Sequence, residues 1–444
     1  MKETVVNKKI TYSIVAVLLI VLVTIGATYA YFSAQASTDV QTVTTGTLTM
    51  GFTNGEIINA TGITPINDNE IETKATMLPF SVTNTGNQHT KITIKLTDIT
   101  IDDALKDIDF RWGLYNADKQ DAAGTEMGVS FGIFKYSETG GEEILLQDVI
   151  LDKNSATRNY KLRIWIHDDG ALQNEMQGKT FSGKVVVTGE AIEYTPETCF
   201  TMDGGTITGY NAETCGTDVV IPKTINGTSV TKIGELENWS GVFESSGLTS
   251  VIIPDTVTTI EDMEFAGTFL THITIPDSVT TIGESAFDGT SITYVTIPES
   301  VTTFQSTNYD DWAGSAFAST SLKSVVIPGS VSNLGMGTFW DASELTDVVL
   351  MDGIDKIHHH VFDGCNLTSI EIPSSANLIL WFDEETGTES HIGASGQFLN
   401  NNMNEIIIRG KTANSQDVAP GWSCISFDEE DFKCIKYANV IYRP

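Results

Sequence analysis

The sequence predicts a mainly β protein: an N-terminal antiparallel β-sandwich (jelly-roll-like) followed by a leucine-rich-repeat solenoid. Two observations carry that expectation. A motif that begins at Leu248 and runs through Val251, Ile253, Pro254, Val257, Ile260 and Phe265 restarts at Leu270, Ile292, Leu322, Leu345 and Leu367. The steps are 22, 22, 30, 23 and 22 residues, and a low-twenties period led by leucine or isoleucine marks stacked coils. Earlier in the chain the period is two. Ile92, Ile94 and Leu96 alternate with Lys91, Thr93 and Lys95, and Tyr160, Leu162, Ile164 and Ile166 with Lys161, Arg163 and Trp165, as strands with one buried face require.

At 444 residues the chain has room for two or three domains. The patterns divide it into residues 1–30 (a signal peptide or N-terminal membrane anchor), 31–192 (the sandwich), 193–247 (a cap with a degenerate first repeat at Val219-Val-Ile-Pro222), 248–410 (the repeats) and 411–444 (a C-terminal cap). The formal charge is −33, and from residue 193 onward 9 Lys+Arg face 35 Asp+Glu. So acidic a repeat region lacks the cations that displace phosphate counterions, which argues against a nucleic-acid partner and leaves membrane contact to the N-terminal segment.

That segment has Lys2, Lys8 and Lys9 before an uncharged stretch, with residues 14–23 continuously apolar. Basic residues before an apolar run specify export. The run is shorter than the about 20 residues of an uncut span, and small residues near Ala30 and Ala36 offer cleavage points. The expectation is an exported protein of the cell surface or extracellular matrix, with residues 10–30 either removed or kept as an anchor.

Between residues 31 and 192 further strands are expected at Gly46–Phe52, Met77–Asn84, Phe110–Tyr115, Val129–Tyr136 and Lys184–Gly189, separated by turns such as Asn84-Thr-Gly-Asn87. The order Gly26-Ala-Thr-Tyr-Ala-Tyr-Phe-Ser33, Thr45-Gly-Thr-Leu48, Phe80-Ser-Val-Thr-Asn-Thr-Gly86 and Phe181-Ser-Gly-Lys-Val185 resembles the TasA/camelysin family of exported Gram-positive β-sandwich proteins found in surface and biofilm-matrix fibres. The resemblance implies a cut between Ala30 and Tyr31. It also implies self-assembly into fibres, in which the freed residues 31–40 add to a neighbouring sheet edge. The family has been grouped with metallopeptidases, but no His-Glu-x-x-His pair occurs, and His89 and His167 are the only histidines of this region. A zinc hydrolase needs about three protein ligands and an open position. Both histidines are therefore expected to be ordinary surface residues.

The repeats resemble BspA-type leucine-rich repeats through the recurrent "xSVTxIG" and "xxAFxG" segments, clearest at Thr280-Thr-Ile-Gly283 and Glu284-Ser-Ala286-Phe287. In each coil Leu270, Ile273, Ile275, Val279, Ile282 and Phe287, or their equivalents, point inward. Two columns then point outward: Ser250, His272, Tyr294, Ser324, Asp347 and Ser369, and Ile252, Thr274, Thr296, Val326, Val349 and Glu371. Flanked by the acidic turns Asp255, Asp277 and Glu299, these columns are the candidate binding surface.

Two insertions, with Tyr309 and Trp312 in one and Trp381 and Phe382 in the other, are candidate contact loops. Asp310, Asp311 and Asp383 lack calcium-loop spacing, and the consecutive His358-His-His360 cannot easily share one ion. Cys199 with Cys215 and Cys424 with Cys434 are candidate disulfides at the two caps, while Cys365 is expected to be a small buried hydrophobe.

No residue grouping points to catalysis or to a cofactor. The expected function is adhesion through the repeat surface to a protein or glycan ligand on host or neighbouring cells, with the sandwich tethering or polymerising. The alternatives are a structural biofilm-fibre subunit assembled by N-terminal strand donation and, behind it, a camelysin-like metallopeptidase.

Overall fold

The alternating N-terminal sequence becomes two facing antiparallel sheets in the computed structural model. The structure describes residues 57–154, 157–170, 173–234, 240–304, 316–358, 360–378, 398 and 401–409, together with the backbone of strands within 33–53, 382–389 and 424–443. The strands of this first unit are β1 (Ser33–Ser37), β2 (Gln41–Thr45), β3 (Leu48–Thr53), β4 (Ile58–Thr61), β5 (Pro65–Ile66), β6 (Thr76–Asn84), β7 (His89–Ile101), β8 (Phe110–Gln120), β9 (Glu126–Ile133), β10 (Glu143–Leu151), β11 (Arg158–His167) and β12 (Thr180–Ile192). One sheet runs β1-β12-β7-β10, with β4 also on β12; the other runs β2-β3-β6-β11-β8-β9, with β5 on β11.

Ile92, Ile94 and Leu96 of one sheet share a core with Phe80, Leu114, Leu162 and Ile164 of the other. Phe110, Phe134 and Phe181 close it with ring centroids 4.6–5.4 Å apart. β10 was not expected from the sequence. Its run Glu143–Leu151 does not alternate, because register shifts against β7 fall on either side of Leu146, and each bulge rotates the next side chain to the other face. His89 opens β7.

From residue 193 the chain is mainly β in a different way. Short strands pair in parallel with those of the next coil: Asp218–Val220 with Ser250–Ile252, His272–Thr274 with Tyr294–Thr296, Ser324–Ile327 with Asp347–Leu350, and Ser369–Ile372 with Glu405–Arg409. A second row joins Lys232–Ile233, Thr259–Ile260, Thr281–Ile282 and Thr303–Phe304. Leu270, Ile273, Ile275, Val279, Ile282 and Phe287 are all at most 1% exposed and belong to one core running from Cys199 to Ile408.

The phenylalanine of each coil builds a column through that core. Phe243, Phe265, Phe287, Phe317, Phe339, Phe362 and Phe398 stack with centroids 5.2–5.9 Å apart and interplanar angles of 3–10°. Such spacing is favourable for offset rings. The Phe287–Phe317 step is 5.2 Å although 30 residues separate the two, so the longer repeat keeps its place in the stack. Two residues after each ring the backbone is left-handed, at Gly267 (φ 64°), Gly289 (φ 65°) and Gly364 (φ 74°), which is why glycine recurs in the motif. Ser245, Ser319 and Asp341 take the same conformation in the other coils.

The array begins under Tyr210, whose ring lies 5.1 Å from that of Phe243, and the Cys199–Cys215 disulfide, with Cα atoms 6.0 Å apart, closes this end. The side chains of Cys424 and Cys434 lie outside the described residues, as do Ala30, Tyr31, Tyr309, Trp312, Trp381 and the side chain of Phe382. Cys365 is buried and reduced, with its thiol 3.2 Å from the Phe339 carbonyl oxygen. Among the described residues no helix is long and apolar enough to cross a membrane.

Because Phe287 is covered by a ring on each side, Phe287→Ala opens a void that neighbours cannot fill. We expect a loss of about 3–5 kcal/mol in urea melts, with broadening of the transition as the array uncouples. A loss under about 1 kcal/mol would contradict the stacked column.

Candidate interaction surface

The outward columns stand where the repeat spacing put them. Ser250 lies beside Asp218, His272 beside Tyr294, Thr274 beside Thr296, Ser324 beside Asp347 and Val326 beside Val349, while Ser369 and Glu371 stand beside Glu405 and Ile407. Of the twelve, however, only Ser369 is exposed; four are buried and the rest half-buried. The first unit sits on them, and Ile252, Thr296, Asp347 and Val349 are at most 7% exposed. The contact also explains why β8 and β11 are buried on both faces over most of their length.

In five of the six coils an acidic group of the repeats meets a donor of the first unit. Arg158 Nη2 lies 2.6 Å from Asp255 Oδ2, whose other oxygen is 2.8 Å from Lys223 Nζ. Lys223 in turn reaches Asp152, at 2.6 Å. Asn116 Nδ2 and Lys119 Nζ each lie 2.7 Å from a carboxylate oxygen of Asp277. The Gly128 N–H donates to Glu299 Oε2 at 2.6 Å, and the Glu299 N–H donates back to the Gly128 carbonyl at 2.9 Å. A side chain at Gly128 would strike the Phe131 ring and crowd the Glu299 carboxylate, so glycine permits this approach. Lys135 Nζ is 2.5 Å from Asp347 Oδ1, and the Tyr136 hydroxyl donates to the other oxygen. The fifth carboxylate, Glu371, meets His167.

The middle of the contact is apolar. Ile66, Tyr115, Phe131, Ile133 and Trp165 of the sheets pack on Val349 and Met351, with Val326 alongside. Arg163 is 3% exposed, stacks over the Tyr115 ring at 4.2 Å and pairs with Glu126 at 2.7 Å. Two further contacts cross the boundary: His272 Nε2 lies 2.7 Å from Asp148 Oδ2, and the Tyr294 hydroxyl lies 3.5 Å from the Ile144 carbonyl oxygen. Between the units is a cavity of about 40 Å³ lined by Val129, Arg158, Tyr160, Ile253, Asp255 and Thr274 among others. It has space for a few waters but not for an organic ligand of ordinary size.

Charge is correspondingly tuned. Burial works against charged Lys135 and Lys223, but the hydrogen bonds that Lys135 donates to Asp347, and Lys223 to Asp152 and Asp255, hold both ammonium groups above the usual lysine value. Burial would raise the Asp148 carboxyl, yet His272 and Lys91 keep it below the ordinary aspartate value.

The two histidines of the first unit are not the surface residues expected. His89 stands beside Asp152 at 3.1 Å and under the Tyr194 ring. His167 is fully buried, because the repeats cover the end of β11. Nothing local in the sequence signals that covering. The one available hint was distributional, since 16 of the 25 Lys+Arg precede residue 193 while 35 of the 58 acidic residues follow it. In the turn beginning at His358, His358 is partly buried and its ring is held below the ordinary imidazole value by burial and Lys356; His360 pairs with Asp363 at 3.0 Å.

Fold and surface together describe stacked repeat coils that carry a second, sheet-built unit on their strand face. Six copies of the BspA type leucine rich repeat region match at residues 238–313 and 306–380, and the family described as camelysin metallo-endopeptidase matches residues 5–124. Among solved structures, the T. pallidum leucine rich repeat protein TpLRR is similar at 22% identity, over 39% of this chain and 89% of that one, with a TM-score of 0.30. The pneumococcal vaccine antigen PcpA is similar at 15% identity over 54% and 53%, with a TM-score of 0.28. A leucine rich cell surface protein of Faecalibacterium prausnitzii A2-165 is similar at 23% over 52% and 60%, with a TM-score of 0.26. The chain thus spans little more than half the length of the latter two. No curated protein matches it significantly.

Replacing Asp347 by Ala removes the acceptor shared by Lys135 and Tyr136. Lys135 is partly solvated, so the expected loss is about 1–3 kcal/mol, read as faster tryptic cleavage between the units with an unchanged far-UV spectrum. Cleavage at the wild-type rate would show that this pair does not hold the contact.

Proposed function

We propose that the protein is exported and acts at the cell surface or in the extracellular matrix by protein–protein adhesion, using the strand face of its repeats once the sheet unit that covers it has moved aside. In this reading the facing sheets are an antiparallel β-sandwich that tethers or polymerises the protein, and the coils form a solenoid. The observation that carries it is that the face already holds a folded protein surface, with an acidic group in five of the six coils meeting a donor, at Asp255, Asp277, Glu299, Asp347 and Glu371. A broad strand platform mixing apolar and acidic positions suits a macromolecule rather than a small ligand, and among macromolecules a cationic protein surface. Export rests on Lys2, Lys8, Lys9 and the apolar residues that follow.

The test is saturable binding of the purified chain to immobilised mucin and to whole bacterial cells. We expect Thr274→Arg combined with Val326→Arg to lower it about tenfold, with Thr281→Arg, on the other strand row, leaving it unchanged. Equal binding by all three proteins would sink the assignment of the face.

One observation favours a second reading, a fibre subunit. β1 pairs with β12 in the register Ser33 to Glu190 through Ser37 to Val186, so the segment expected to be donated between subunits already completes a sheet edge within its own. Removing residues 31–40 should then abolish filaments while sparing adhesion. A peptidase reading has less support. His89 and His167 lie on different sheets with separate aspartate partners, and among the described residues no three His, Cys, Asp or Glu side chains converge as a metal site would require.

A further inference from the structure

His167 closes β11 with a carboxylate oxygen against each ring nitrogen. Asp68 Oδ1 lies 2.9 Å from Nδ1 and Glu371 Oε1 lies 3.1 Å from Nε2. A neutral imidazole donates from one nitrogen only and would turn the lone pair of the other toward a carboxylate. Imidazolium alone satisfies both contacts, with two charge-assisted bonds. Asp68 and His167 belong to the sheet unit and Glu371 to the repeats, so this proton sits in the joint between them. We propose that His167 is a proton-operated latch: its imidazolium holds the sheet unit closed over the strand face of the repeats, and loss of the proton frees that face. The inference goes beyond adhesion and does not depend on it, because closure is read directly from the protein's shape.

Every charged group around the ring can be named. From the sheet unit come Asp68, Arg111 on β8, Asp109 just before it and Asp169 just after β11. Arg111 lies 3.9 Å from Asp68 and 3.5 Å from Asp109. From the repeats come Glu371 and the Asp352 N–H, which donates to Asp68 Oδ2 at 3.1 Å. Burial and the Arg111 charge favour the neutral ring, but the hydrogen bonds to Asp68 and Glu371 and the Asp68 charge outweigh them and hold His167 above its ordinary 6.5. Burial likewise opposes the Asp68 carboxylate, and His167, Arg111 and the Asp352 N–H overcome it, leaving this carboxyl well below the usual range. Asp109 is pushed up to about 6, chiefly by burial, with Arg111 and His167 acting against the shift and Glu371 and Asp169 adding to it.

The sign follows. A histidine raised in the folded state lends its full stability below the unfolded value and loses it as pH rises through the raised value. A lowered aspartate lends stability above its unfolded value and loses it only in strong acid. The latch is therefore shut below the ordinary imidazole value of 6.5 and opens as pH rises through the raised value of His167. Lys135, Lys223 and Arg158, three other cations of the joint, are held above their usual values. His272 has one carboxylate partner, Asp148, and its Nδ1 lies 3.3 Å from Thr271 Oγ1. A neutral tautomer satisfies that arrangement.

Small-angle scattering of the full chain, together with carbon-13 spectra of labelled histidines, tests the latch between about pH 5.5 and about pH 9.5. In the wild type the radius of gyration should rise in one step that coincides with the His167 titration. Glu371→Gln places a carboxamide, which can donate or accept, against Nε2. That variant should remain compact with the step gone, an outcome that misfolding cannot imitate. His167→Phe should be extended at every pH while keeping the far-UV spectrum, and His272→Asn should keep the wild-type step. A wild type that stays compact after His167 has lost its proton, a Glu371→Gln variant that opens on the same curve, or a step that vanishes with His272→Asn would each overturn the latch.

Discussion

A coil of about 22 residues cannot dry its own interior, and the rest of the structure depends on that constraint. Leu270, Ile273 and Ile275 are sealed only because the coils before and after lie across them, and each buried aliphatic contributes about 1.5–3 kcal/mol only under that condition. The phenylalanine column extends the same dependence to the far wall, since each inner ring has a ring above and a ring below. Left-handed turns at Gly267, Gly289 and Gly364 bring the chain back into register after each ring. Stacking in turn fixes the outward face, because parallel pairing of successive strands aligns their side chains in rows.

The sheet unit meets those rows as a second layer. Its own core lies between its two sheets, yet the outer face of β8 and β11 is also buried, so the unit has an inside on both sides of one sheet. Hydrophobic packing at Val349 and Met351 against Trp165 and Phe131 supplies the centre, and the carboxylates supply the rim. Much of the acidity of the strand face is thereby answered within the molecule: Asp255, Asp277 and Asp347 each meet an arginine or lysine, and Glu299 meets a main-chain N–H.

The repeats were legible because a period repeats its information. Five restarts of one motif fixed which residues face in, and within the columns His272 pairs with Tyr294, Thr274 with Thr296, Ser324 with Asp347 and Val326 with Val349. The sheets were legible where one face is wet, as in β7, and less so in β10, whose register shifts break the alternation. What covers the columns was not legible. Docking is decided by residues such as Lys135 and Asp347, 212 positions apart, and no local pattern links them. His167 shows the same limit, for in sequence it is a histidine at the end of a strand, and only the third dimension brings Glu371 to its second nitrogen. The Cys199–Cys215 pair was accessible for the opposite reason, since its 16-residue separation lies within one cap.

The spacing of the docking contacts has a consequence for how such a molecule can change over generations. Repeat arrays ordinarily lengthen or shorten by duplicating or losing whole units, a change that each neighbouring pair of coils tolerates. Here one rigid body touches the array at Asp255, Asp277, Glu299, Asp347 and Glu371 in succession. An added unit after Glu299 would carry Asp347 and Glu371 one step beyond Lys135 and His167. The docked unit thus acts as a ruler, and the number of coils beneath it is not free to drift.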